Sequence, residues 1–92
     1  MKYSVFQQTC KEYFRKMNYV VKPQVVAQGL KFHRKPNYHE CTFEFYGIRM
    51  YVRVDSQNKW SLTHYDNQKN PIVNTGSSID EACSVLFRNG GK

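Results

Sequence analysis

The regular alternation of apolar and polar side chains between residues 38 and 54 constrains the fold more than any other feature. From Tyr38 to Tyr46 the odd positions are mainly apolar, and from Ile48 to Val54 the even positions are apolar. A period of two is typical of strands that bury one face. Glycine in the first position of a two-residue turn at Gly47-Ile48 favours a type II′ hairpin. The pairs predicted from this turn are Phe45 with Met50, Phe43 with Val52 and Cys41 with Val54, and both apolar sets then share one face.

Further strands are predicted on both sides of this hairpin. Trp60, Leu62 and His64 continue the inward alternation after a polar loop over 55–59. Residues 24–33 favour an irregular strand that is bulged at Gly29 and followed by a turn signal at Pro36. Residues 67–71 are interpreted as a loop. The sheet is therefore expected to be antiparallel, with three to four strands.

Two amphipathic helices are predicted to flank the strands. Ser4 and Gln7 have the spacing of a capping box, and an apolar stripe predicts a helix from about residue 5 to Asn18. Its members are Phe6, Cys10, Tyr13, Phe14 and Met17. Ser78 and Glu81 form a second capping box, and the Asn-Gly-Gly sequence at 89–91 is typical of a helix end. The second apolar stripe consists of Ile79, Ala82, Cys83 and Leu86.

The fold class predicted from these elements is α+β, in the order helix, strands, helix. The length of 92 residues allows one modest hydrophobic core, so residues 1–92 are interpreted as one α+β domain. The sheet has one apolar face, and only the helices are available to cover it. Both helices are therefore expected to pack on that face.

Cysteine usage and the character of the N-terminal segment indicate a compartment. Cys10, Cys41 and Cys83 are three widely spaced cysteines, an odd number, which we interpret as reduced and buried. No apolar run approaches the ~18–20 residues that a membrane helix needs. Lys11 and Glu12 lie where a signal peptide would require an apolar segment. A cytoplasmic location without membrane contact is predicted.

Patterns for catalysis and metal binding are not recognisable in the sequence. His33, His39 and His64 have no metal-ligand spacing with one another or with the cysteines. The cysteines lie on apolar stripes, where a thiol is unreactive. Glu40 and Glu44 are expected on the outer face of their strand, paired with Arg53 or Arg49. We therefore expect a chain that is not an enzyme and that uses no cofactor and no metal.

The positive charge is concentrated in the first third of the chain. Residues 1–35 contain eight lysines and arginines and one glutamate, so they carry the whole formal net charge of +7. Charge of this kind favours polyanionic partners through long-range attraction and counterion release, although it can also serve solubility alone. The basic patch predicted to bind consists of Lys11, Arg15, Lys16, Lys22, Lys31, Arg34 and Lys35.

A second candidate surface is the sheet face that the helices leave open. Its alternating tyrosines and arginines suit stacking on bases and contacts to phosphate, and they also suit a protein interface. They can equally pack on one another as a solvated sheet face. The residues predicted to project from this face are Tyr46, Arg49, Tyr51, Arg53, Thr63 and Tyr65, of which Tyr46, Arg49, Tyr51, Arg53 and Tyr65 are candidate binding residues.

The order of helix, three strands and helix resembles the double-stranded RNA-binding domain. That family carries a lysine cluster at the start of its last helix, where this chain has Asp80 and Glu81 after Ser77, Ser78 and Ile79. The resemblance is thus one of topology without the phosphate-gripping motif. It implies a direct DNA- or RNA-binding module as the alternative function.

The small size, the α/β organisation, the single charged region and the lack of a catalytic signature resemble small phage-encoded inhibitors of CRISPR surveillance complexes. Such a resemblance implies a non-enzymatic protein that acts in the cytoplasm of a bacterial host. It would dock a basic surface onto a host ribonucleoprotein or nuclease complex and block target nucleic-acid binding. Contacts with RNA or DNA of the complex are then expected alongside contacts with protein.

Overall fold

The computed structural model describes residues 1–21 and 28–88 as two helices and five strands. The elements are α1 (Tyr3–Val21), β1 (Gln28–Arg34), β2 (Tyr38–Phe45), β3 (Ile48–Asp55), β4 (Trp60–Tyr65), β5 (Pro71–Gly76) and α2 (Ile79–Arg88). This confirms the α+β class and the order of helix, strands and helix. The residues before Gln28 in the predicted first strand, and the predicted helix end at 89–91, lie outside the described residues.

The sheet is an antiparallel meander with the strand order β1-β2-β3-β4-β5. The predicted count of three to four strands was therefore too low, and the missed strand is β5, where a loop ending at Pro71 was expected. β5 has two adjacent exposed apolar residues, Ile72 and Val73, and begins with proline. It lacks the alternation by which buried strands are recognised, because as an edge strand it buries little of either face.

The β2–β3 hairpin turns one residue earlier than predicted. Tyr46 and Gly47 are the two turn residues, with φ of 54° and 78°. Two left-handed residues make a type I′ turn, whose twist matches that of the strands. The predicted turn at Gly47-Ile48 was wrong by one residue, and the predicted pairing register was therefore wrong by two positions. The observed pairs are Phe45 with Ile48, Phe43 with Met50, Cys41 with Val52 and His39 with Val54.

A bulge interrupts β1, as the sequence predicted. Gln28 pairs with Glu44 and Lys31 with Thr42, so β1 contains one residue more than its partner between these two pairs. Gly29 lies in this interval with φ of 66°, a left-handed conformation that glycine adopts without steric cost.

The β3–β4 and β4–β5 loops have the same hydrogen-bonding pattern, in which an aspartate carboxylate accepts two backbone N–H groups of the loop. One carboxylate oxygen of Asp55 accepts hydrogen bonds from the backbone N–H groups of residues 57 and 59, at 2.8 and 2.9 Å. Asp66 does the same for residues 68 and 70, at 2.9 and 2.8 Å. These bonds hold the pKa of Asp66 below its usual value, since the backbone N–H of Asn70 stabilises the charged form. Asn58 and Lys69 occupy the left-handed position of each loop.

Both helices pack on the same face of the sheet, as expected from its single apolar face. Phe6 of α1 stacks on Trp60 with ring centroids 5.6 Å apart, and Phe14 contacts Phe43 at 4.7 Å. Phe87 of α2 contacts Phe45 at 5.7 Å. The largest fully buried side chains are Phe6, Cys10, Cys41, Phe43, Val52, Val54, Leu62 and Cys83. One continuous core therefore joins the sheet to both helices.

The start of α2 agrees with its predicted capping box, and the start of α1 does not. At α2, Ser78 Oγ accepts from the backbone N–H of Glu81 at 3.1 Å, and the Glu81 carboxylate reaches back to Ser77. At α1 the helix already begins at Tyr3, so Ser4 lies inside it and does not cap it. α1 also continues past the predicted end at Asn18 to Val21. Neither described helix combines the length and the apolar character needed to cross a membrane.

The first turn of α2 packs closely against Gly76 at the end of β5, and this contact generates the first prediction. A Cβ at this position would lie 2.5 Å from Cβ of Glu81 and 3.0 Å from the backbone nitrogen of Ala82. We expect Gly76→Ala to lower the free energy of unfolding by about 2–3 kcal/mol, because helix and strand must separate. Gly47→Ala is the control, since nothing lies within 4 Å and only its left-handed backbone costs about 1 kcal/mol. Equal losses for the two variants in urea denaturation would contradict this account of the contact.

Candidate binding surfaces

Side chains of α1 contact side chains of β1, and these contacts bring cations of both elements to one edge of the molecule. Phe6 meets Phe32 of β1 edge to face, at 6.2 Å. One turn further along α1, Lys11 Nζ lies 5.7 Å from the Phe32 ring centroid. Near the start of the helix the Arg34 guanidinium lies 5.3 Å from the ring of Tyr3. In each of the last two contacts a cation of one element lies over an aromatic ring of the other.

We call the surface formed by α1, β1 and the turn after β1 the basic surface. Five of the seven predicted patch residues belong to it, and Lys2 must be added, because it directly precedes Tyr3 and is exposed. Lys2 contributes to the charge of residues 1–35 but precedes the predicted start of the helix, so the predicted patch did not include it. The cations of the basic surface are Lys2, Lys11, Arg15, Lys16, Arg34 and Lys35, all exposed.

The other two predicted patch residues are placed differently. Lys31 is exposed on β1 and pairs with Thr42, so it projects from the open face of the sheet rather than towards α1. It still lies at the same edge of the sheet as the basic surface. Lys22 lies outside the described residues.

The basic surface is poor in compensating negative charge. Its one acidic side chain is Glu12, which accepts a hydrogen bond from Gln8 at 2.8 Å. Over residues 1–21 and 28–88 the one ion pair joins Arg53 and Glu40, which both lie on the open face. The cations of the basic surface are therefore hydrated and available to an anionic partner, which can replace the water and the counterions around them.

The open face contains most of the predicted tyrosine and arginine array. Arg49, Tyr51 and Arg53 alternate along β3, and Tyr65 of β4 contacts Tyr51 with ring centroids 6.1 Å apart. Thr63 pairs with Tyr51 but is buried rather than projecting into solvent. Tyr46 was expected on this face and is instead in the β2–β3 turn, where it is 67% exposed and its ring contacts Phe45 at 4.9 Å.

Arg53 is enclosed by its neighbours on the open face. Its Nε donates to a carboxylate oxygen of Glu40 at 2.6 Å, and Glu40 is only 7% exposed. The guanidinium also lies 5.2 Å from the ring of Tyr38 and 5.4 Å from that of Tyr51. Tyr38 was not among the predicted members of this array. The centre of the open face is thus neutralised and packed on itself, which was one of the three interpretations of its composition.

The three cysteines are all free, fully buried and close together in the core. A hydrogen bond with Cys41, together with burial, raises the pKa of the Cys10 thiol far above its ordinary value. Burial raises the pKa of Cys83 to about 12. These shifts disfavour the thiolate, which is the nucleophile, at Cys10 and Cys83.

His39 and His64 are part of the packing, whereas His33 is exposed on β1. His39 lies beneath α1, where its Nε2 is 2.8 Å from the carbonyl oxygen of Met1 and its ring contacts Phe6 at 5.6 Å. Its Nδ1 and that of His64 are buried without a hydrogen-bond partner. Among the described residues, no three or more His, Cys, Asp or Glu side chains come together in a way that could hold a metal ion.

Two clefts interrupt the surface near β1 and β2. The larger, about 300 Å³, lies beside the bulge and is lined by Lys31, Glu44 and Arg49 among others. The smaller, about 220 Å³, lies between the turn after β1 and the β3–β4 turn, next to His39 and Asp55. Each cleft is lined in part by charged side chains, and neither contains a thiol.

Comparison of the chain with protein-family models, with curated proteins and with solved structures gives no match. The class that the fold defines is an α+β protein with two helices on one face of a five-stranded antiparallel meander. Its two distinguishing surfaces are the basic surface at one edge and the self-packed open face.

The enclosure of Arg53 generates the second prediction. We expect Arg53→Met to lower the free energy of unfolding by about 1–3 kcal/mol, because it leaves the buried Glu40 carboxylate without its partner. Arg49→Met is the matched control, since Arg49 and the opposite Glu44 are both exposed and share no hydrogen bond. Its effect should stay within about 0.5 kcal/mol. Urea denaturation, which adds no salt, measures both, and an equal effect of the two changes would contradict the ion pair between Arg53 and the buried Glu40.

Proposed function

We propose that this chain is a non-enzymatic binding protein that docks its basic surface onto the phosphate backbone of a nucleic acid held in a ribonucleoprotein. A CRISPR surveillance complex of a bacterial host is the kind of target that fits, and occupation of its nucleic-acid surface would block binding of the target strand. The observation that carries the proposal is the density of exposed cations on α1 and β1 beside a single glutamate.

The spacing of the cations supports contact with a repeated charge. Lys11 and Arg15 are four residues apart on α1 and therefore point to the same side of the helix. Arg34 and Lys35 extend the positive surface along β1 and into the next turn. Phosphates on a nucleic-acid strand are spaced at a few ångströms, so several cations can engage at once and release counterions together.

The open face supports a ribonucleoprotein over naked single-stranded nucleic acid. Binding of single strands commonly relies on aromatic rings on which bases stack. Here Tyr38 and Tyr51 already enclose Arg53, and Tyr51 also contacts Tyr65. With phosphate contacts alone the binding would be non-specific and of micromolar strength at best. Selectivity would then come from protein surfaces of the assembly next to the nucleic acid.

The third prediction is an affinity capture of the tagged protein from bacterial lysate, with and without nuclease and at two salt concentrations. We expect one stoichiometric assembly that survives both treatments, because protein contacts supplement the phosphate contacts. Heterogeneous nucleic acid that is lost with nuclease or salt would instead identify a direct DNA- or RNA-binding module. Recovery of no assembly and no nucleic acid would contradict both functions.

Charge-reversal variants of the same protein test whether recovery of the assembly depends on the basic surface. Arg15→Glu with Lys35→Glu should reduce recovery of the assembly at least tenfold, because two phosphate-facing cations become repulsive. Arg49→Glu with Lys69→Glu is the matched control, since it changes the net charge equally on the open face and in the β4–β5 loop, away from α1 and Lys35. Tyr51→Ala with Tyr65→Ala should have no effect on capture. If this last variant alone loses the assembly, the open face is the contact and the basic surface is not.

A further inference from the structure

The two outer strands of the sheet differ in how their free edges are protected. Within the described part of the chain, β1 and β5 each pair with one neighbour only. β1 has a bulge at Gly29 and the exposed cations Lys31 and Arg34, which are features that oppose pairing with another strand. β5 is regular along its full length against β4.

β5 carries none of the protective charges. The sequence from residue 70 to residue 79 contains no charged side chain. Ile72 is 42% exposed and Val73 is 52% exposed, one on each face of the strand. A regular, uncharged and partly apolar edge is a template for pairing with another strand.

The hydrogen-bond pattern identifies the backbone groups that face outwards. Asp66 donates its N–H to the carbonyl oxygen of Asn70, so Asn70 faces β4. Because alternate residues of a strand face the same neighbour, Ile72 and Asn74 also bond to β4. The outer edge therefore presents the N–H and C=O groups of Val73 and Thr75. It also presents the carbonyl of Pro71. Because proline has no backbone N–H, there is no unpaired donor at this position.

We propose that this edge binds a second copy of the chain, with the two β5 strands antiparallel about a two-fold axis at Val73. In this register Val73 pairs with its own copy and Thr75 with Pro71 of the other, giving about four backbone hydrogen bonds. The same edge serves both copies, as a two-fold interface requires. The two sheets then continue as one.

The distribution of charge favours a second copy at β5 over one at β1. The basic surface lies at the β1 edge, and β5 is at the opposite side of the sheet. Pairing through β5 places the two basic surfaces at the far ends of the joined sheet, where their repulsion is smallest. Pairing through β1 would bring them together. Since the residual repulsion is screened by ions, dimerisation should strengthen as salt is raised, whereas phosphate binding weakens.

The test is sedimentation of the purified protein over a range of concentrations at low and high salt, free of nucleic acid. We expect a monomer–dimer equilibrium whose dissociation constant falls with salt. Val73→Lys should weaken it at least tenfold by placing two cations opposite each other. Val5→Lys is the matched control, because Val5 is 47% exposed on α1 and the change in charge is identical; it should dimerise as the parent does.

A second readout does not depend on Val73→Lys folding correctly. Val73→Cys should form a disulfide-linked dimer on mild oxidation, since the native thiols are buried and the two new ones would be paired. Val5→Cys should not. A chain that stays monomeric at all concentrations, or equal crosslinking of the two variants, would overturn the proposal. In that case the partner expected at the β5 edge is a strand of another protein. These outcomes are independent of the phosphate-binding proposal, which charge reversal on the basic surface tests.

Discussion

The packing of Phe6 against the sheet is the contact on which the arrangement of the molecule depends. Its ring is fully buried and touches Phe32 on β1, His39 on β2 and Trp60 on β4. One side chain of α1 thereby fixes the helix relative to three of the five strands. The apolar stripe of α1 faces the sheet, so the lysines and arginines of the helix face solvent. Because α1 contacts β1, these cations join those of that strand.

Two edges of opposite character follow from this arrangement. The β1 edge carries the basic surface, while the β5 edge carries no charge and ends at Gly76 beneath α2. Between them, Glu40 neutralises Arg53, and Tyr38 and Tyr51 cover it. The centre of the open face therefore contributes to stability, and the positive potential is confined to one edge. The same packing that stabilises the fold thus determines where an anionic partner can bind.

Periodicity predicted the inward faces of the strands and helices well, because alternation and the helical stripe reflect burial directly. It predicted the face of Phe43 and Val52 even though the register was wrong by two, since a shift of two keeps every side chain on its face. The register itself depends on the left-handed conformation of Tyr46, which few non-glycine residues adopt and which the sequence does not reveal. β5 was missed because this edge strand buries little of either face, so its sequence lacks the alternation of apolar and polar residues. Which members of the predicted basic patch lie near one another depends on the contacts between α1 and β1, which the sequence does not reveal.

The most direct measurement of the central claim is a titration of ¹⁵N-labelled protein with a short RNA duplex of arbitrary sequence at low salt, followed by amide chemical shifts. Weak phosphate binding gives fast exchange, so each shift reports on its own residue. We expect the changes to concentrate in α1, β1 and the turn at Lys35, to disappear when salt is raised, and to spare β3 and β4. Changes centred on Tyr51 and Tyr65 would contradict the claim, and so would the absence of any change at the basic surface.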